Sequence, residues 1–311
     1  MRVIQRVILL ALLLGWSLSA YAFTLLVEQV SDRAYALVGD IGLRTAENHA
    51  LNNTLGFLVT EEGVVLVGSG ADPGGAQHIE QQVASVTDQP IRWVVNLGAQ
   101  DHHWLGNHYF AERGVEIIAL ERTVTAQQAH VDNHLLRLHE VLGSAAAAVT
   151  PYYAPEPLAG EAAELTLGAL ELRLLWPGDG HFPGDALLWY APERVALVGD
   201  FVFHDRIPGI HPFSNVSRWH AAFQQIAALQ PDHIIPGHGH PGDLERSMRD
   251  TGAYLAWLVE EVGAAVADWQ ELDATVEQLA DAPAFEHLQY YREWHRRNVH
   301  QSYLQLESGR F

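Results

Sequence analysis

The chain has 311 residues, and its 38 Asp and Glu outnumber its 18 Lys and Arg, which gives a formal net charge of −20 at pH 7. Such acidity argues against nucleic acid as a partner and against a strongly anionic substrate, because both would be repelled. Cys is absent, whereas His occurs 18 times. Disulfides are therefore excluded, and any metal must be held by His, Asp, Glu or amide side chains.

The first 22 residues have the pattern of a secretory signal peptide. Two Arg precede an apolar run at 7–16, and residues 17–22 end in the small-x-small pattern of a cleavage site. The run is shorter than the ~20 residues that a membrane span needs, which favours cleavage over a permanent anchor. We therefore expect a periplasmic or secreted protein that begins at Phe23 and has no stable membrane insertion.

Apolar runs and turn residues predict two blocks of strands, each with its own helices. The first block is expected to contain hairpins at 24–38 and 55–67, a helix opened by Pro73, a strand at 91–96, a short helix at 104–113, a strand at 115–120 and a helix at 121–142. The second is expected to contain hairpins at 165–174 and 186–199, a helix at 217–230 and a short strand at 234–235. From residue 243 onward the pattern is helical.

This order favours an α+β fold in which two sheets face each other and helices cover the outside, a four-layer αββα sandwich. A doubly wound parallel sheet fits poorly, because so many of the connections are tight turns. The predicted organisation is a signal peptide at 1–22, a sandwich domain at 23–242 and a helical C-terminal extension at 243–311.

Four clusters of imidazoles and carboxylates lie beside Gly or Pro at the ends of predicted strands. Binding and catalytic residues often lie on loops that a rigid scaffold holds in place. His and Asp together suit a borderline cation such as zinc. The clusters contain these candidates: Asp101, His102 and His103; His181; Asp200; His238.

Three of these clusters resemble motifs of the metallo-β-lactamase-fold superfamily, the hydrolases that include zinc β-lactamases and glyoxalase II type thioesterases. The matching stretches are His181-x-Pro-Gly-Asp, Val198-Gly199-Asp200 and Ile235-Pro236-Gly237-His238-Gly239. The resemblance implies that His181 binds a first metal, that Asp200 bridges two metals, and that His238 binds the second.

The chain departs from the leading family motif, which is His-x-His-x-Asp-His followed by Gly-Asn. An alignment without gaps between Asn96 and Gly106-Asn107 turns the four ligand positions into Gly98, Gln100, His102 and His103. The first site then keeps only His181, Asp200 and a weak amide donor, whereas the second keeps four ligands. A register shifted by one residue instead aligns Asp101-His102 with the family's Asp-His and makes His103 an insertion. Both registers are open.

A second departure is Gly68-Ser69-Gly70, where the family usually has an Asp-x-Gly turn whose Asp supports the metal loop. Loss of such a supporting group commonly lowers metal affinity ~10–100-fold. We therefore expect one zinc ion in an altered site, and not a standard two-zinc centre.

The expected function is hydrolysis of a small-molecule amide, ester, lactone or thioester by metal-activated water. Asp101 is the candidate catalytic residue that orients this water or takes its proton. Two alternatives are open. One is a mononuclear iron oxygenase, whose ligand triad, taken from the resemblance, is incomplete at Gly98 or Gln100. The other is a non-catalytic binding or accessory protein that keeps the fold. The sequence does not predict an oligomeric state.

Overall fold

The structure is a computed structural model that describes residues 23–309, so the predicted signal peptide lies outside the described residues. One sheet has six strands in the order β1 to β6, and the other has five in the order β11-β10-β9-β8-β7. Helices cover the outer faces of the two sheets. The predicted α+β four-layer sandwich with a helical C-terminal region is confirmed.

The first sheet changes from antiparallel to parallel pairing along its width. The first four strands pair antiparallel, with short turns from β1 to β2 and from β3 to β4 and a longer connection, residues 39–53, from β2 to β3. Helices return the chain before β5 and β6, which pair parallel. Asp72 caps the first helix by accepting a hydrogen bond from the backbone N–H of Gly75. The elements are β1 Leu26–Gln29, β2 Ala34–Val38, β3 Thr54–Val59, β4 Val64–Val67, α1 Pro73–Ala84, β5 Ile91–Val95, α2 Asn107–Ala111 and β6 Glu116–Ile118.

The second sheet consists of an antiparallel meander followed by a parallel pair, β10 and β11. A long helix precedes this sheet, and another connects its parallel pair. The elements are α3 Glu121–Leu142, β7 Ala162–Leu167, β8 Leu170–Leu175, β9 Leu187–Tyr190, β10 Val195–Phe203, α4 Val216–Ala228 and β11 His233–His238.

Two strands are longer than the sequence predicted. β10 continues past Gly199 to Phe203, and β11 occupies six residues instead of two. Gly199 has a φ of +50° and lies where the β10–β11 register shifts, so the strand bends there without ending. A Gly that makes a bulge therefore looked, in the sequence, like the end of a strand.

The two sheets meet through a continuous apolar core. Its buried members come from both sheets and include Leu58, Val95, Leu172, Leu197 and Ile235. Each fully buried side chain of this kind contributes ~1.5–3 kcal/mol. The sheets approach so closely that a Cβ on Gly56 would lie 2.4 Å from Cδ2 of Leu197.

The C-terminal helices share a second apolar core with α4 and β10. Buried Trp219, Tyr254 and Val299 are members of this one cluster. The helices are α5 Leu244–Ser247, α6 Ala253–Trp257, α7 Gly263–Ala267, α8 Leu272–Gln278 and α9 Tyr291–Glu307, and π-helical turns join the first three of them. Across 23–309, none of the helices is both long and apolar enough to cross a membrane.

Candidate metal centre

A neutral hydrogen-bond network supports the loop between β5 and α2. The backbone N–H of Ser69 donates to the carbonyl of His103 at 3.0 Å, and its Oγ donates to Oδ1 of Asn107 at 2.8 Å. Asn96 and Asn107 bind each other through their amides. At Gly68 φ is +83° and a Cβ would lie 2.5 Å from a leucine methyl, so an Asp at 68 would be strained.

Three buried side chains converge on one point. Nε2 of His102 lies 3.2 Å from Oδ2 of Asp200, and Nε2 of His238 lies 3.6 Å from Oδ1 of the same carboxylate. One ligand atom from each of the three lies within 4.8 Å of the others. His102 comes from the loop after β5, Asp200 from the bulged strand β10, and His238 from the end of β11.

Two glycines allow the strands to bring Asp200 and His238 together. Gly199 bends β10 just before the carboxylate. A Cβ at Gly237 would lie 2.2 Å from Oδ1 of Asp200, so only glycine leaves room for this side chain. The position of the carboxylate therefore depends on the absence of side chains around it.

His103 contacts the same carboxylate from another direction. Its Nε2 lies 3.2 Å from Oδ2 of Asp200. A Cβ on Gly98 would lie 2.8 Å from Cδ2 of His103 and 3.0 Å from Oδ1 of Asp185. The imidazole of His103 thus occupies the space into which a side chain at 98 would extend, where the family has its first ligand.

His181 lies apart from the three converging side chains. Its Nε2 is 3.1 Å from Oε1 of Gln100, at hydrogen-bond distance, and its ring is buried. In the gap-free alignment His181 and Gln100 belong to the residual first site together with Asp200. The structure therefore brings His102, Asp200 and His238 together, and His103 also contacts Asp200. His181 contacts the amide of Gln100 instead.

Asp101 lies on the opposite side of His102 from Asp200. Its Oδ2 accepts a hydrogen bond from Nη2 of Arg44 at 2.8 Å, and its Oδ1 accepts one from the backbone N–H of His102 at 2.8 Å. Oδ1 is also 3.8 Å from Nδ1 of His102, whereas Nε2 of that ring faces Asp200. The shifted register, in which Asp101 would itself bind the metal, does not match this placement.

Burial sets the protonation states of the converging side chains. Burial lowers the pKa of His102 and holds those of His181 and His238 well below the ordinary value for histidine. Burial opposes ionisation of Asp200, but His103 and His102 beside it hold the pKa of that carboxyl well below its usual range. Neutral imidazoles and an ionised carboxylate are the states that a divalent cation requires.

The donor set also fits a cation in its hydrogen bonding. Nδ1 of His238 is 2.8 Å from the carbonyl oxygen of Asn52, which assigns the proton to Nδ1 and leaves the Nε2 lone pair free. Oδ1 of Asp200 is buried and has no hydrogen-bond partner among residues 23–309. Two imidazole nitrogens and a carboxylate oxygen form a zinc-type donor set.

A cavity of about 350 Å³ opens beside the metal centre. Four of the residues that line it were not predicted from the sequence as site residues: Arg44, Arg206, His211 and Trp294. The sequence could have indicated Arg206 as a site residue, because it follows Asp200 by only six positions. The other three belong to no motif, and only tertiary packing brings them to the cavity.

Acid is expected to destabilise the fold through buried histidines. Burial lowers the pKa values of His134, His204 and His211 to about 4, against ~6.5 in the unfolded chain. The unfolded state therefore takes up protons first, and the free energy of unfolding falls as pH drops from about 6.5 towards 4, by ~1–2 kcal/mol per histidine at pH 5. Urea unfolding at pH 7, 6 and 5 measures this, and an unchanged midpoint would contradict it.

Comparison with known proteins matches this geometry. A family model described as the metallo-beta-lactamase superfamily matches residues 51–238. A metallo-beta-lactamase from Pontibacter korlensis has a TM-score of 0.59 at 17% identity, covering 75% of this chain and 99% of that one. The metallo-beta-lactamase FIM-1 from Pseudomonas aeruginosa, in its mono-zinc form, has a TM-score of 0.57 at 14% identity, covering 75% and 95%. At such identities the structural likeness shows the fold alone.

A curated relative matches over a shorter stretch. It is the 2,4-dinitroanisole O-demethylase subunit alpha of Nocardioides sp. (strain JS1661), which is 29% identical over 79 residues. The match covers 25% of this chain and 24% of that protein, so about a quarter of the relative's length is represented.

Proposed function

This chain belongs to the metallo-β-lactamase superfamily, and from that premise we propose that it is an exported hydrolase of a small molecule with a single zinc ion. One observation carries the proposal, the convergence of His102, Asp200 and His238 within 4.8 Å. Three protein ligands with an open fourth position are typical of catalytic zinc. Near the position of the family's first metal, the imidazole of His181 lies at hydrogen-bond distance from Gln100 and apart from the three converging side chains. This arrangement supports one ion and not two.

Zinc in this position would supply a bound water with a pKa of ~7 and would polarise the scissile carbonyl group. His102 and His238 would hold the ion through Nε2, and Asp200 through a carboxylate oxygen. The carbonyl of Asn52 fixes the ring of His238 from behind, and such supporting contacts raise metal affinity.

The geometry favours a positioning role for Asp101, although the sequence pointed to it as the catalytic base. Arg44 and the backbone N–H of His102 engage its two oxygens, so the carboxylate holds the metal loop and faces Nδ1 of His102. Oδ1 of Asp200, which lacks a hydrogen-bond partner in the described part of the chain, would be the carboxylate oxygen that holds the ion.

The test is a panel of chromogenic substrates assayed with metal-loaded protein. The panel contains a β-lactam, p-nitrophenyl acetate, a lactone and a thioester. It also contains 2,4-dinitroanisole, because of the named activity of the demethylase relative. We expect hydrolysis of at least one class that disappears with a chelator, returns with zinc, and falls at least ~100-fold in His238→Ala. N-terminal sequencing of the exported protein is expected to begin at Phe23.

A non-catalytic binding protein is the second candidate, and the loss of family ligands at Gly98 and Gln100 favours it. Fewer than ~0.1 ion per chain after purification with zinc would overturn the hydrolase proposal in its favour. Under that outcome His238→Ala would bind the same ligands as the unmodified protein.

A further inference from the structure

Two histidines of α3 lie on neighbouring turns of the helix, outside the metal centre. His130 and His134 are four residues apart, so their side chains share one face of the helix. The centres of their rings are 6.0 Å apart. Two histidines at this spacing on one helix face are a recurrent zinc-binding arrangement, in which both imidazoles hold the same ion.

Neither imidazole is used by the fold for hydrogen bonding. Within residues 23–309 no side-chain hydrogen bond is made by either ring, and Nδ1 of His134 is buried without a partner. His134 is only 4% exposed, whereas His130 is partly exposed. A buried polar atom without a partner is costly, and an apolar side chain would pack at this position without that cost. The two rings therefore have nitrogen atoms available for a ligand.

The protonation state and the nearest charge both suit a cation. Burial lowers the pKa of His130, and it lowers that of His134 to about 4, so each ring has a lone pair at neutral pH. Among charged side chains, the carboxylate of Asp101 acts on His134 more strongly than the guanidinium of Arg137 does. The nearby field therefore favours a positive ion at this pair of rings.

A groove of about 500 Å³ gives access to the pair from outside. His130 lines this groove, together with the carboxylates of Glu121 and Asp179. The guanidinium of Arg122 also lines it, but that group lies over the ring of Trp176, 3.8 Å from its centre. The groove is separate from the cavity beside the metal centre, with which it shares no lining residue.

Phe182 connects the pair to the cavity of the metal centre. Its buried ring lies 5.7 Å from that of His130 and 5.6 Å from that of His134, measured between ring centres. Phe182 also contacts the rings of His181 and His211, which line the cavity. An ion held by the pair would therefore fix the rings that pack on Phe182 and stabilise this wall of the cavity.

We propose that His130 and His134 form a second site for a zinc-type divalent cation, which holds α3 against Phe182. Within residues 23–309, three ligand atoms lie within 4.8 Å of one another only at His102, Asp200 and His238. The pair on α3 thus has no third protein ligand, and water completes the shell. Fewer protein ligands make this ion the weaker one, so dialysis removes it and leaves the first. The second site does not depend on the hydrolase function.

The test is calorimetric titration with zinc of the full chain, dialysed to about one ion. A further ion is expected to bind at least ~10-fold more weakly than the first. In His130→Gln the affinity for this ion should fall at least ~10-fold. In His238→Ala, which is expected to lack the first ion, zinc should still bind at the second site. His139→Gln replaces an exposed histidine of the same helix and should titrate like the unmodified protein.

Thermal unfolding gives a second measurement. Excess zinc is expected to raise the unfolding midpoint of the unmodified protein more than that of His130→Gln, because a bound ion stabilises the folded state. Three outcomes would overturn the proposal: no further ion at millimolar zinc, unchanged zinc affinity and midpoint shift in His130→Gln, or loss of the further ion in Gln100→Ala, which would assign it to the family's first site. If His134→Gln does not fold, the partly exposed His130 decides. Turnover is not measured, so failure of hydrolysis remains distinguishable.

Discussion

His102→Ala is expected to reduce the bound metal from about one ion per chain to fewer than ~0.1 after dialysis. His102 provides one of the three atoms that converge within 4.8 Å, and its Nε2 is 3.2 Å from Asp200. Two remaining donors cannot hold zinc in the tetrahedral geometry that it prefers in proteins. Elemental analysis of protein purified with zinc measures the loss.

Two further variants make this result specific. Gln100→Ala is expected to keep about one ion, because Gln100 contacts His181 and not the three converging side chains. His139→Ala, on the exposed face of α3, controls for loss of a histidine as such. Two tightly held zinc ions in the unmodified protein, with one lost in Gln100→Ala, would show that the first site is intact and that this account of it is wrong.

Gly237→Ala is expected to destabilise the fold by about 3 kcal/mol and to lower metal affinity at the same time. The new Cβ would lie 2.2 Å from Oδ1 of Asp200 and 2.6 Å from the backbone carbon of Gly199. A flexible side chain could move away from such a contact, whereas the paired backbone of β10 cannot. Urea unfolding gives the stability change, and elemental analysis gives the metal content.

Gly263→Ala is the matched control for this variant. Gly263 lies in a helix with a φ of −61°, and nothing lies within 4 Å of a Cβ built there. The same chemical change should therefore raise stability by about 0.5–1 kcal/mol. A Gly237→Ala protein with an unchanged unfolding midpoint and a full metal content would refute the steric argument.

The sandwich could be predicted because its strands and helices are specified by short stretches of neighbouring residues. Tight turns such as the one at Gly63 specify hairpins, Pro73 marks the start of a helix, and runs of apolar residues specify buried strands. The end of β10 was not predictable in the same way. Whether Gly199 terminates a strand or bends it depends on whether β11 continues to pair beyond it, and that partner lies more than thirty residues away.

The candidate metal ligands could be predicted only where they belong to recognisable motifs. His102, Asp200 and His238 stand in recognisable stretches, and the structure brings those three together. The register of the loop before His103 was not decidable from sequence, because both alignments retain His102. In the structure the ring of His103 lies in the space beside Gly98, a contact that the sequence does not reveal. Arg44 and Trp294 reach the cavity from segments without any motif.

The attachment of the C-terminal helices to the metal centre has a consequence for how such proteins diversify. The backbones of Asp205 and Ile207 pair with Gln289, and Trp294 on α9 covers Arg206, so the cavity wall is completed after residue 280. The converging ligands are all in place by His238. Relatives that exchanged only their last helices would thus inherit the same reactive centre with a different pocket. Substrate preference and bond-breaking chemistry can therefore evolve in separate segments of the chain.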